Sequence, residues 1–424
     1  MKKKINQPLE GINILDLTRV LAGPTSTQLL GDLGANIIKI ERPESGDDSR
    51  NLGPPYLDSH SSKPKESAYF LSVNRNKHSV TIDLTKKDGQ ELAFKLIKKC
   101  DVIVENFRAG NLKQYGLDYT NVKKKNPKII YCSITGFGQD GPYSKRGGYD
   151  YLVQAMGGIM SITGEKKGNP TKIGVGVSDI ITGLYASNAI LAALRFRDKT
   201  SEGQHLDLSL MDSQVSWLSY VAQSYLISKE IPKRIGNDHP SIVPYQTVLA
   251  KDGLMVLAIA NDRQFRDFCK FAKIRELFDN PKFSTNSLRV KNRNSLNKII
   301  LKVLKKKKID YWVNKIILKV LKEKKIDYWV SGLNKLNVPC GPINNIKQVF
   351  EDPQVNSRKM KIKMKHKKSK KPIDLVGNPI KFSLSKVKYK KSPPTLGQDT
   401  EKILINFLKL SKKEVDRLKD KKII

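Results

Sequence analysis

Cysteine and histidine are scarce and scattered. The four cysteines, Cys100, Cys132, Cys269 and Cys340, lie far apart with no CxxC pair, and the five histidines form no HExxH pair. This excludes a disulfide framework and a zinc site of ordinary ligand spacing. Free thiols suit a reducing compartment. Long apolar runs are missing as well. No stretch reaches the roughly 18 uninterrupted apolar residues of a membrane-spanning helix, and even Ile180–Leu194 falls short. The opening MKKKINQPLEGINILDL is basic but lacks the apolar block of a secretory leader. These absences set the expectation of a cytoplasmic protein with no membrane partner.

Acid is in short supply. Against 78 Lys and Arg stand only 41 Asp and Glu, a formal net charge of +37. Such a surplus would permit nucleic-acid binding. The basic residues are mostly Lys, however, spread along the whole chain among abundant Ile and Asn, with no basic stripe interleaved with aromatics. Lys, Asn and Ile share A/T-rich codons, so compositional bias accounts for the charge and no nucleic-acid partner is expected. A basic nucleic-acid-binding protein remains as an alternative resting on charge alone, and salt-sensitive retention on DNA would be its mark.

What the chain does contain is alternation. Its 424 residues, 39% of them hydrophobic, have room for two domains. Strand-like runs at 12–18, 36–43, 78–84, 101–107 and 126–136 alternate with helical patterns at 25–35 and 88–100. That spacing predicts an α/β fold with an open, mostly parallel, Rossmann-like sheet. Ligands of such sheets sit at the carboxyl ends of strands, where Arg42, Asn106, Phe107, Arg108 and the loop after Ile134 fall. Residues 149–195 are helical and rich in small side chains, and 203–213 reads as a further strand and turn. Beyond Ser228 the character changes, with strand-like runs at 238–248 and 253–260. The expected division is a large domain at 1–225, a smaller α/β domain at 226–364, and a C-terminal segment at 365–424 returning to the first.

An internal repeat interrupts the small domain. NKIILKVLKKKKIDYWV (297–313) is followed at once by NKIILKVLKEKKIDYWV (314–330), differing only at Lys306 against Glu323. Two copies are too few for a solenoid. The repeat reads as a tandem duplication and not as a functional device.

Two motifs invite chemistry. GFGQDG (136–141) matches a dinucleotide-binding pattern, but Pro142 follows where a helix should begin, so the match is read as accidental. Asp179 is the single charge in IGVGVSDIITGLYASNAILAAL (173–194). It could cap the helix that starts near Ile180, with Ser178 sharing the task. Held at a helix N-terminus behind Gly174 and Gly176, it could equally serve as a covalent nucleophile. Arg42 and Arg108 at strand ends suit phosphate or carboxylate recognition.

A string of motifs carries a family resemblance: PLEGINILDLTRVLAGP, NIIKIERPESGDDSR, VNRNKHSVTIDL, DVIVENFRAGNL, YCSITGFGQDGPYSKRGGYDYLVQAMGG, GVSDIITGLYA, GNDHPSIVPYQ, VPCGPINN and LGQDT. In this order they resemble the class III CoA-transferases of the CaiB/BaiF type, a family that includes formyl-CoA transferase, carnitine CoA-transferases and α-methylacyl-CoA racemases. The resemblance implies that Asp179 is the nucleophile, forming an aspartyl anhydride and then an aspartyl-CoA thioester. Free backbone N–H groups at its helix N-terminus would stabilise the oxyanions. It implies that Leu21, Ala22, Arg42, Asn106, Phe107 and Arg108 line a CoA groove, and that the turn Arg146, Gly147, Tyr149, Asp150 lies beside Asp179. It further implies an interlocked homodimer of ring-like chains. No permanently bound cofactor or metal is implied; the coenzyme A thioester is a substrate. The implied partners are an acyl-CoA, with succinyl-CoA as donor, and a small carboxylic acid, glutarate or another short dicarboxylate.

The family pattern is broken in two places. The glycine-rich loop of formyl-CoA transferase is replaced by AIANDRQF (258–265), which counts against oxalate as acceptor and against the formyl-CoA:oxalate alternative. The repeat has no counterpart. A racemase-like enzyme is the other alternative, but it needs a histidine base where Tyr149 stands. One copy of the repeat completes the family pattern, so a chain lacking residues 297–313 is expected to remain a soluble dimer in size-exclusion chromatography. Aggregation of the deleted chain would show the extra segment to be structural.

Overall fold

The computed structural model describes residues 6–57, 66–293 and 324–424. Two compact units emerge. The first comprises Met1–Met160, Lys172–Glu230 and Pro353–Ile424, and the second Ser161–Thr171 and Ile231–Asp352. The boundaries thus fall at 230 and 353 where 225 and 364 were expected, and a short piece, 161–171, groups with the second unit. Of the tandem repeat only Lys324–Val330 is described; the rest lies outside the described residues.

The first unit is built on six parallel strands: β1 (Asn13–Asp16), β2 (Asn36–Glu41), β3 (Lys77–Thr81), β4 (Val102–Glu105), β5 (Ile130–Thr135) and β6 (His205–Ser209). Their order in the sheet is β3-β2-β1-β4-β5-β6. Helices α1 (Ala22–Asp32), α2 (Ala68–Val73), α3 (Lys87–Ile97), α4 (Tyr119–Lys125), α5 (Asp150–Met156), the first half of the one-turn α6 (Ile159–Ile162), α7 (Val177–Thr200), α8 (Leu210–Trp217) and α9 (Ser219–Ser228) complete the unit's larger segments. β4 and β5 are buried on both faces, as the unbroken apolar runs of a helix-covered parallel sheet require.

Alternate strand residues feed opposite cores. Leu15, Ile38, Val80 and Ile103 pack with Leu92 and Leu96 of α3. Their neighbours Ile14, Ile37, Val102 and Val104 pack instead with Leu30 of α1 and with Ala186 and Ile190 of α7. α1 and α7 touch backbone to side chain: a Cβ at Gly183 would lie 2.5 Å from the Ala22 carbonyl oxygen. α7 runs 24 residues, beyond the apolar run read in the sequence. By length and composition it could cross a membrane, yet half of its most apolar window is buried inside the chain.

The exposed edge of β3 is covered by the C-terminal segment. Asn76 N–H donates to the Lys391 carbonyl, Asp399 N–H donates to the Ser79 carbonyl, and Thr81 N–H donates to Thr400 Oγ1.

A charged layer lies buried around the carboxyl end of β1, drawing Lys39 from within β2 and Lys77 from the start of β3. Lys77 Nζ contacts Asp16 Oδ2 at 3.1 Å, and Lys39 Nζ contacts Asp47 Oδ2 at 2.9 Å, all four side chains being fully buried. Burial alone would raise the Asp16 carboxyl; Lys77 and Lys39 overcome it and hold the group well below the usual carboxylate range. Lys39 also donates to the Thr18 carbonyl at 2.6 Å. Next to it, Arg50 is clamped by Glu41 and Glu66.

The second unit carries a three-stranded antiparallel sheet of β7 (Tyr245–Ala250), β8 (Gly253–Ala258) and β9 (Cys340–Pro342). Its core gathers Met255, Leu257, Phe268, Leu333 and Trp329, the last supplied by the described end of the repeat.

Removing one member of a buried ion pair strands its partner, at a cost of about 3–5 kcal/mol. Asp16→Ala, which strands Lys77, is expected to lose stability on that scale in urea unfolding. A loss below about 1 kcal/mol would show the layer to be dispensable.

Candidate active site

In the parallel order β3-β2-β1-β4-β5-β6 the chain reverses direction of winding between β1 and β4, and the crevice at their carboxyl ends is the natural ligand site. The loop after β1 is held there from two sides. Asn106, just past β4, accepts from Arg19 N–H at 2.9 Å and donates to the Arg19 carbonyl at 2.8 Å. Asp47 accepts from Val20 N–H at 3.1 Å. Val20 itself has φ 68°, a left-handed conformation that a β-branched residue adopts only when its surroundings impose it.

This loop walls a cavity of about 210 Å³. Nine of the sequence-predicted residues line it: Leu21, Ala22, Asn106, Phe107, Arg108, Arg146, Gly147, Tyr149 and Asp179. Gly136 and Gly148 cross on its wall so closely that a Cβ on Gly136 would lie 2.4 Å from Gly148 Cα. Two predicted residues fall elsewhere. Arg42 lines a neighbouring cavity of about 430 Å³, which shares Arg19 and Phe107 with the first. Asp150 lines neither, for a reason that concerns Asp179.

α7 begins at Val177, with Gly176 as an N-cap that has no side chain to offer. The sequence left open that Asp179 or Ser178 caps this helix. Neither does. Asp150 Oδ1 accepts from Ser178 N–H at 2.8 Å and, more distantly, from Asp179 N–H at 3.4 Å. Its other oxygen accepts from Gln154 at 2.7 Å, and Gln154 in turn accepts from Ile173 N–H at 2.9 Å. Ser178 Oγ turns away to donate to Gln214 at 2.8 Å. The expectation of free first-turn N–H groups is therefore not met: Val177 donates to Val175 and Ile180 to Gly176, and Asp150 takes the two between. The macrodipole of a 24-residue helix still points at the site.

The Asp179 carboxylate is spared this work. Burial, with the Asp150 carboxylate beside it, pushes the Asp179 carboxyl up to about 7. Tyr69 of α2 senses the same charges: burial and the Asp179, Asp150 and Asp47 carboxylates push its phenol up to about 12. Sequence reading missed Tyr69, which lies far away in the chain on an unremarked apolar helix. It also missed Gln154, although its four-residue spacing from Asp150 is the signature of neighbours on one helix face. Asp48 was missed too. It pairs with Arg19 at 2.8 Å and with Arg42, the two arginines on the wall between the cavities. Arg108 and Arg146, by contrast, enter no ion pair among the described residues.

Among the described residues no group of three His, Cys, Asp or Glu is placed to hold a metal ion. GFGQDG forms a loop running into turns, with the next helix only at Asp150.

Comparison with known proteins places this geometry. The family model described as CoA-transferase family III matches residues 9–400. The chain is 43% identical over 412 residues to a human succinyl-CoA:glutarate CoA-transferase, covering 97% of this chain and 89% of that protein. It is 42% identical over 398 residues to a succinate–glutarate CoA-transferase of Agrobacterium fabrum, covering 94% and 95%. An acetyl-CoA:oxalate CoA-transferase of Acetobacter aceti is 35% identical over 377 residues, covering 89% of each. A crystal structure of a CaiB/BaiF family protein from Brucella suis superposes with a TM-score of 0.80 at 42% identity, covering 94% of this chain and 99% of that one. The chain belongs to the CoA-transferase family III and, as such, moves CoA between an acyl-CoA and a carboxylate.

Proposed function

We propose that this protein transfers CoA from succinyl-CoA to glutarate or a similarly short dicarboxylate, with Asp179 as the nucleophile. The observation that carries the reading is an unengaged carboxylate at the first turn of α7, facing a cavity at the strand ends of the sheet. Relatives that act on succinyl-CoA and glutarate, at 42–43% identity, support the choice of substrates.

Each step conserves charge and atoms. An Asp179 oxygen attacks the donor thioester carbonyl, the C–S bond breaks, and CoA leaves as thiolate from a mixed anhydride. The thiolate attacks the aspartyl carbonyl and expels the donor carboxylate, leaving aspartyl-CoA. The acceptor carboxylate attacks that thioester, and the released thiolate then attacks the acceptor's acyl carbonyl, restoring Asp179 and forming the new acyl-CoA. No net proton is exchanged.

The neighbouring cavities suit the two ends of such a substrate. Arg42, Lys86 and Lys422 line the larger one beside apolar Ile40, Ile82 and Leu84, a lining fit for a phosphorylated nucleotide. Arg108 and Arg146 in the smaller one can receive the second carboxylate of a diacid. A second copy of the chain is the partner we propose, because Leu191 and Phe196 of α7, Trp217 of α8 and Tyr220, Leu226 and Ile227 of α9 expose apolar surface.

Incubation with succinyl-CoA and each of glutarate, malate, itaconate and oxalate, followed by mass, tests the reading. Glutaryl-CoA is expected, and Asp179→Ala should lower its formation on the order of 10³-fold or more. Equal exchange by the variant would overturn the nucleophile; exchange with oxalate alone would overturn the acceptor.

The raised Asp179 carboxyl also fixes a pH dependence. Only the carboxylate attacks, so kcat/KM should rise through about pH 7 and level off above it. Stability should move the other way. The unfolded chain ionises Asp179 near 3.8, whereas the native chain keeps the proton until about 7, so native stability falls across that window. Asp179→Asn is accordingly expected to melt at a higher temperature than wild type at pH 8, by on the order of 1 kcal/mol after solvent screening. The difference should vanish below pH 4.

A further inference from the structure

The first turn of α7 leaves the Ser178 and Asp179 N–H groups without a backbone partner, and such groups are ordinarily bound by the side chain of the N-cap residue or of an acidic residue close by. Asp179 sits three residues past the N-cap and does not do so. The partners come instead from α5. Asp150, its first residue, reaches across the sequence gap to the Ser178 and Asp179 N–H groups. Its second oxygen is held by Gln154 one turn along the same helix, and Gln154 also receives Ile173 N–H and donates to the Val175 carbonyl. Asp150 and Gln154 together pin the loop 173–178 and the helix start that carries Asp179. A Cβ at Gly176 would crowd Leu21, 2.9 Å from its Cδ2, while standing in ordinary contact with Asp150 Cγ at 3.6 Å.

We propose that Asp150 is a positioning residue for transfer: it caps α7 in place of the nucleophile, so that the Asp179 carboxylate is left with no hydrogen bond to break before it attacks. The inference rests on the reading of Asp179 as nucleophile and deepens it. A carboxylate tied to backbone N–H groups is a weaker nucleophile and is fixed away from the cavity; a borrowed cap removes both costs while holding the backbone in place. The Asp150 charge acts in the same sense, because a like charge beside Asp179 makes its oxygens more basic. The other titratable and charged groups around Asp179 are Tyr69 of α2 and, lining its cavity, Tyr149, Asp48, Arg19, Arg108 and Arg146.

Two variants separate the parts of this role. Asp150→Asn keeps an oxygen acceptor for the two N–H groups but removes the charge, whereas Asp150→Ala removes both. For Asp150→Asn, kcat at pH 8 is expected within about tenfold of wild type, and the midpoint of the pH–rate profile should move to lower pH. Asp150→Ala should lose about 10- to 100-fold in kcat, with KM for succinyl-CoA changed less than about twofold because Asp150 lines neither cavity. Circular dichroism and melting of each variant identify any loss of fold. Gln154→Leu gives an independent arm, freeing Asp150 without touching the cap atoms, and should lower kcat with KM again unmoved. Wild-type kcat in folded Asp150→Ala, or an unmoved pH midpoint in Asp150→Asn, overturns the inference. Full activity in Asp179→Ala would instead overturn the nucleophile reading on which it stands.

Discussion

The buried charge layer around the carboxyl end of β1 is the constraint on which the candidate site depends. Asp16, Lys39, Asp47 and Lys77 are each removed from water, and each is compensated by an opposite charge in the layer together with neighbouring hydrogen bonds. Such a layer adds little net stability compared with apolar packing, but it tolerates almost no displacement. Its consequence is geometric. Asp16 binds Thr18, Lys39 binds the Thr18 carbonyl, and Asp47 binds Val20 N–H, so three charges from three segments dictate the path of one loop. That loop places Leu21 against Gly176 and opens the cavity in front of Asp179. The left-handed Val20 is the strain this path imposes.

A second arrangement, at the start of α7, decides what Asp179 can do. The helix offers donors and a favourable dipole, which would ordinarily lower a carboxyl's proton affinity. Burial and Asp150 reverse that tendency and leave a carboxyl near neutrality. Holding an ionised group in such a place works against folding, and destabilisation of this kind concentrates where reactivity is needed. Asp150, which adds to the effect of burial on Asp179, also holds its backbone, so one side chain bears on both position and basicity.

Much of the fold was legible. The runs at 12–18, 36–43 and 101–107 contain β1, β2 and β4, because strands buried on both faces concentrate Ile, Leu and Val. The reach of α7 was underestimated because Arg195, Arg197 and Lys199 end the apolar run without ending the helix. Part of the cavity wall, Asn106, Phe107 and Arg108, was legible from strand ends, whereas Leu21, Ala22, Arg146, Gly147 and Tyr149 came from the family resemblance. Arg42 was placed one cavity away from Asp179, a separation that no strand pattern encodes. Tyr69 was invisible, for nothing local on α2 distinguishes it from a core aromatic.

The amino-acid sequence by itself determined the α/β class and pointed to the strand ends and Asp179 as the candidate site. Those follow from local periodicity and from a lone charge in an apolar setting, both of which act over a few residues. Only the tertiary structure decided which carboxylate caps α7, which arginines remain unpaired, and where the loop after β1 runs. Each of these is a competition for hydrogen bonds and charge between segments remote in the chain, such as Asp150 with Ser178 or Asp47 with Val20. Its outcome is fixed only when the sheet brings the competitors within about 3 Å of one another.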